Sequence, residues 1–148
     1  MKKAKGFTLI ELLVVIAIIG LLSTLAVVAL NNARQKSRDA KRVSDVKQVS
    51  TALELYFADN NGYPTASTAI TLGDTSHACL DKGGFVATCS TATAPTYMGQ
   101  VPSNTGPNGT AYTYTSSDGS TYSITFTLEG ITGGLAIGLH TATPSGIQ

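Results

Sequence analysis

The sequence predicts an α+β protein: a long N-terminal α-helix, membrane-spanning in its first half, with a small antiparallel β-sheet head packed on its second half. Three observations predict it. An apolar run fills residues 7–30, an amphipathic helical pattern continues it to a sharp stop at residues 60–64, and alternating Tyr/Thr segments follow residue 110.

The apolar run comes first. From Phe7 to Leu30 there are 24 residues, and Glu11 is the one charge among them. At about 1.5 Å per residue such a helix covers about 36 Å, enough for a hydrocarbon core of about 30 Å. A secretory signal has a shorter apolar middle that ends in a small-residue cleavage site, so the segment reads as a span. Glu11 is costly there, because a charge at the bilayer centre costs about 2.5–3.5 kcal/mol and is rarely left unpaired. It calls for a cation supplied after insertion.

Gly6-Phe7-Thr8-Leu9-Ile10-Glu11, behind a Lys-rich leader (Lys2, Lys3, Lys5) and ahead of a continuous apolar helix, resembles the class III signal of type IV pilins and type II secretion pseudopilins. The resemblance implies removal of a leader, residues 1–6, by a prepilin peptidase that cuts after Gly6 and N-methylates Phe7. It also implies the missing cation. The new α-ammonium of Phe7, from a neighbouring subunit, meets Glu11 and sets the register of a homo-oligomeric helical filament, since charge pairing in a dry core selects a fixed stagger. The implied partners are the peptidase, the pilus assembly platform and minor pilins, with the membrane as host before assembly. Many relatives carry a helix-loosening proline where this chain has Val28. Bases flank the span on both sides, three before it and six between Arg34 and Lys47. The processing motif therefore decides the topology, with the leader cytoplasmic and the head outside as a single-pass inner-membrane protein, then a cell-surface filament.

Beyond the span, residues 31–61 continue the helix amphipathically. Val43, Val46, Val49, Leu53, Tyr56 and Phe57 recur at helical spacing, so one face must be covered. The bases from Arg34 to Lys47 read as a solvated or membrane-proximal face, relieved by Asp39 and Asp45, with Lys41 to Asp45 at helix-pair spacing. Asn60-Asn61-Gly62-Tyr63-Pro64 ends the helix: Asn or Gly takes the left-handed terminal position and Pro64 prevents continuation. This ending also looks like that of the same families.

The head, residues 62–148, is rich in Gly, Ser and Thr, and its core is completed by the helix. Residues 65–108 show little periodicity and read as loops with a short strand or helix. Tyr112, Tyr114, Tyr122, Ile124, Phe126 and Leu128 alternate with Thr and Ser around Ser117-Asp118-Gly119. A three-residue loop with left-handed Gly119 predicts Tyr114 opposite Tyr122 and Tyr112 opposite Ile124. A third strand is expected near Leu135, Ile137 and Leu139. The Thr and Tyr strand faces read as ordinary sheet rather than as an adhesive surface.

Residues 48–148 hold one base, Lys82, against six acids, and the processed chain would hold seven bases against nine acids. That balance does not favour DNA binding. Cys79 and Cys89, in the oxidising compartment that the topology implies, are expected to form a disulfide contributing about 2–3 kcal/mol. A metal site with His77 and His140 is disfavoured, because the spacings lack the paired short intervals of structural zinc motifs. No P-loop, HExxH, GxSxG or dinucleotide signature occurs, so neither a cofactor nor catalysis is expected. Asn108-Gly109-Thr110 is formally a glycosylation acceptor. Some pseudopilins of the family carry an acidic calcium loop near the C-terminus. Gly130–Gln148 contains no Asp or Glu, which favours a pilus subunit over a secretion pseudopilin, while the Gly6–Glu11 signal, which a stable tether does not need, disfavours a membrane-tethered surface-binding module.

Overall fold

The computed structural model describes residues 6–89, 94–104 and 106–148. The predicted leader therefore lies outside the described residues, apart from Gly6. The chain divides into two compact units, residues 1–35 and Lys36–Gln148.

One helix, α1 (Leu9–Asn60), contributes to both. It continues unbroken through Val28. Its end follows the predicted chemistry, with the left-handed residue at Asn61 (φ 55°), whose amide donates to Phe57 O at 2.8 Å.

In the second unit, a five-stranded sheet takes the order β1 (Ala66–Thr71), β5 (Thr113–Ser116), β6 (Ser123–Leu128), β7 (Gly138–Thr143), β8 (Gly146–Ile147). All of its neighbouring strands are antiparallel. Strands β2 (Cys79–Asp81), β3 (Gly84–Val86) and β4 (Thr96–Met98) form a smaller sheet in the order β3-β2-β4. The described residues between 65 and 108 thus hold four strands where the lack of periodicity suggested loops with one short strand or helix. The three-residue strands are too short to show a period of two, and the six-residue β1 has no inside–outside alternation to show.

Alternation along β6 places Ile124, Phe126 and Leu128 inside and Ser123, Thr125 and Thr127 outside. These inner residues, with Tyr112, Tyr114, Tyr122 and Ala142, close over Val46, Val49, Ala52 and Leu53 of α1. The amphipathic face read from the sequence is therefore the core face, with Val43, Tyr56 and Phe57 at its margin.

Two expectations are corrected. Tyr114 pairs with Ile124 rather than with Tyr122, and Thr113 pairs with Thr125, a slip of two residues along β6. The loop is longer than three residues because its groups bond elsewhere. Asp118 Oδ1 accepts the amide and hydroxyl of Ser120, Ser116 donates to Thr121 O at 2.7 Å, and Gly119 O accepts the Tyr63 amide at 2.8 Å. A slip of two preserves the face of every side chain, which is why the apolar row survived it. Gly119 does adopt the left-handed conformation (φ 77°), and a Cβ there would approach Tyr63 O to 3.0 Å. The second correction concerns β7. It starts at Gly138 and turns His140 and Ala142 inward, leaving Leu139 69% exposed, because pairing of Phe126 with His140 sets the parity.

Candidate assembly segment and the ion cluster of the head

At its N-terminus α1 is closed by a reciprocal cap. Glu11 Oε2 accepts both the Thr8 amide and the Thr8 hydroxyl at 2.8 Å, and the Glu11 amide donates to Thr8 Oγ1 at 3.3 Å. This capping box satisfies otherwise orphaned donors of the first turn. It also holds the Glu11 carboxylate at residue 8, one residue from Phe7, whose own side chain is 75% exposed.

The following residues carry their apolar side chains outward, from Leu9 through Leu30. The most apolar 18-residue window has a mean hydropathy of 2.9 and none of it is buried. By length and composition the helix can cross a membrane. The two hydroxyls in the segment bond to their own helix, Ser23 to Ile19 O at 2.7 Å and Thr24 to Leu21 O at 2.8 Å. Polar groups satisfied in this way are compatible with an apolar surrounding.

In the second unit, α1 buries charge. Asp39 is fully buried, Arg42 is 2% exposed and Asp45 is also buried. The Asp39 carboxylate accepts the amides of Glu129 and Gly130 (3.0 and 2.8 Å) and Arg42 Nη1 at 2.7 Å. Glu129 in turn takes Arg38 as a two-pronged partner (2.8 and 2.6 Å) and Arg42 Nη1 at 2.7 Å. Arg42 Nη2 also donates to Pro107 O, and Tyr112 OH donates to Asp45. Each charged group is bonded on several sides, which is the condition for tolerable burial. Hydrogen bonds from Arg38, with Arg42 and Asn108 adding to them, lower the Glu129 carboxyl to about 2 against desolvation. Burial, with Asp45 beside it, pushes the Tyr112 phenol up.

The reading of the basic run as a solvated face is therefore corrected for Arg38 and Arg42, whose partners come from the chain's own head. Lys41 does form its pair with Asp45, at 3.6 Å. Sequence reasoning missed Arg38, Asp39, Arg42 and Glu129 as a group. The available signals were the Asp39-x-x-Arg42 spacing and Glu129 as a lone acid closing an apolar strand.

Cys79 and Cys89 are joined as a disulfide, with Cα atoms 5.5 Å apart. His77 pairs with Asp74 at 2.9 Å, and His140 lies between the carbonyls of Ala136 and Gln148, so the two histidines serve separate local contacts. Among the described residues no group of three His, Cys, Asp or Glu side chains could hold a metal.

Comparison with known proteins bears on part of the chain. Residues 1–27 match the prokaryotic N-terminal methylation motif. The chain is 44% identical over 64 residues to the type II secretion system core protein G of Aeromonas hydrophila, an alignment covering 43% of this chain and 45% of that one. It is 45% identical over 65 residues to the core protein G of Escherichia coli, covering 44% and 45%. To the type IV wide pilus major component of Thermus thermophilus it is 42% identical over 70 residues, covering 47% and 53%. The chain thus spans about half the length of the curated relatives it matches. No solved structure matches it. With the methylation motif at its start and a long apolar helix behind it, the chain is similar over part of its length to type II secretion core protein G and to a type IV pilus component.

Proposed function

We propose that the chain is a structural subunit of a type IV pilus or closely related filament, inserted as a single-span precursor, cut after Gly6, methylated at Phe7 and polymerised through α1. The observation that carries this reading is the unburied apolar helix with its single carboxylate in the first turn. A helix so apolar is stable in lipid or against other helices. Transfer between the two changes little hydrophobic free energy, so packing and polar contacts decide assembly. In this reading the Phe7 ammonium of a neighbouring subunit replaces the Thr8 donors at Glu11 once the leader is gone. The precursor resides in the inner membrane with its head outside, meets a prepilin peptidase there, and leaves for the surface through an assembly platform with minor pilins.

The test is mass spectrometry of sheared surface filaments, together with Glu11→Lys. A mature chain beginning at N-methyl-Phe7 is expected. The charge-reversed variant should insert and be cut normally but yield few filaments. An uncut precursor confined to membranes would overturn the reading, and wild-type filament yield from the variant would remove the role given to Glu11. A secretion pseudopilin is the second reading, favoured by the 44% identity with core protein G over 64 residues. The absence of acids from Gly130–Gln148 favours the pilus.

A further inference from the structure

Between Ala40 and Ala58 the sheet covers one face of α1 and leaves the other open. Ala40, Ser44, Thr51, Leu55 and Ala58 run down the middle of the open face, all of them exposed, and Leu55 projects from it at 56% exposure. Their spacing of three, four and seven residues keeps them in one line on a helix. Where the side chains are small the face is hollow: a depression of about 410 Å³ is lined by Ala40, Val43, Ser44, Lys47, Gln48 and Thr51. Ser44, Lys47, Gln48 and Thr51 have the i, i+3, i+4, i+7 spacing of a hole that accepts a knob from another helix. The face therefore carries both a knob, Leu55, and a hole.

Charge is arranged along its two flanks. Lys47 and Glu54, seven residues apart, share one flank, and Lys41 and Asp59, eighteen apart, share the other. Each flank thus has its base towards the N-terminus and its acid towards the C-terminus. All four side chains are exposed. The Lys47 ammonium has no ion pair among the described residues, and Glu54 uses Oε1 alone, to accept the Tyr63 hydroxyl at 3.0 Å. The 41/59 pair is secondary, since Lys41 already meets Asp45 and Asp59 accepts the Tyr97 hydroxyl.

We propose that this face pairs with the same face of a second copy, the two helices running antiparallel. Antiparallel helices laid face to face bring like flanks together, so Lys47 meets Glu54 of the second copy while Glu54 meets its Lys47. Level parallel helices would set base beside base. The register that joins Lys47 to Glu54 also places Leu55 opposite position 46, over the hollow of the other copy, and Thr51 opposite position 50, beside the twofold axis. Charge and shape select one register. Because knob, hole, base and acid share a single face, every contact is made twice and the contact closes at two copies. An apolar partner or a neutral lipid would leave both flanks unmatched. The face is one helix wide, so the pair is weak and depends on local concentration. Copies in one filament point the same way, so under the reading above the second copy belongs to another filament; the pairing itself does not rest on that reading.

The test uses the full-length chain, concentrated in non-denaturing detergent. Carbodiimide, which joins a lysine to a carboxylate in contact with it, should yield a dimer containing a Lys47–Glu54 linked peptide by mass spectrometry. Thr51→Cys treated with a short thiol cross-linker should also yield a dimer. Antiparallel pairing gives both links, level parallel pairing only the second, and shifted parallel pairing only the first. Lys47→Glu should weaken dimerisation by about tenfold, and mixing it with Glu54→Lys should restore a mixed dimer. Leu55→Ala, which removes the knob from an exposed position, should weaken it several-fold, each variant being checked by its circular-dichroism melt. A chain that stays monomeric, or one that gives only one of the two links, would overturn the proposal. So would wild-type dimerisation by folded Lys47→Glu or by folded Leu55→Ala.

Discussion

Two stretches of the same helix invert the usual assignment of side chains to environments. Residues 9–30 expose leucine, isoleucine and valine, whereas residues 39–45 bury two aspartates and an arginine. Composition alone would place both the other way round. What differs is the supply of partners. The charged stretch meets the end of β6, Asn104, Pro107 and Tyr112, which between them bond Asp39, Arg42 and Asp45. None of the most apolar window is buried among the described residues, a state that suits lipid or other copies as its cover.

The comparison would break most visibly at Arg42. Arg42→Ala leaves Asp39 and Glu129 with a buried partner missing, and should cost about 3–5 kcal/mol. Urea unfolding of the full chain in detergent, followed by tyrosine circular dichroism, would measure it. A loss under 1 kcal/mol would show the cluster to be incidental to the head. A gentler perturbation is Gly109→Ala, whose new methyl would lie against Arg42 Nη2 and Asn104 Nδ2, closer than van der Waals contact allows. Displacing that guanidinium should cost about 1–3 kcal/mol in the same assay.

Acid should act on the charged stretch and spare the apolar one. The Glu129 carboxyl titrates near 2 in the folded head against 4.5 ordinarily, so its contribution is complete above about pH 5 and is lost as pH falls from there towards 2. Glu129→Gln should therefore flatten the acid limb of the stability–pH curve, and an unchanged limb would assign that limb to other carboxylates. The smallest effect is expected at Leu13, whose side chain is exposed. Leu13→Ala should leave head unfolding within about 0.5 kcal/mol, while an effect as large as that at Arg42 would show the two stretches to be one cooperative unit.

What could be read from the chain follows the range of each interaction. The apolar helix, the core face of residues 43–57 and the Asn61 stop depend on neighbours within a few residues, and all were legible. Sheet parity was legible in β5 and β6, because alternation has a period of two, but not in β7, and register was not. The extra length of the hairpin loop comes from Gly119 bonding back to Tyr63, a contact between distant positions. The ion cluster was hidden for the same reason: Asp39 and Glu129 are 90 positions apart, and neither sequence context announces the other. At the candidate assembly segment the position was different. Gly6, Phe7 and Glu11 form one local motif, whereas the cap that Thr8 places on Glu11 became visible only with the backbone folded.

The bonds from Asp39 to the amides of Glu129 and Gly130 also order events in time. During synthesis the aspartate emerges long before the strand whose end it will cap. In the interval it has Arg42, three residues on, as a ready companion, so neither charge has to be buried alone. The head can complete its closure only when β6 arrives. The newborn helix thus carries a vacant latch through the translation of most of the domain, and a chain stalled before Glu129 would keep that latch open and hydrated.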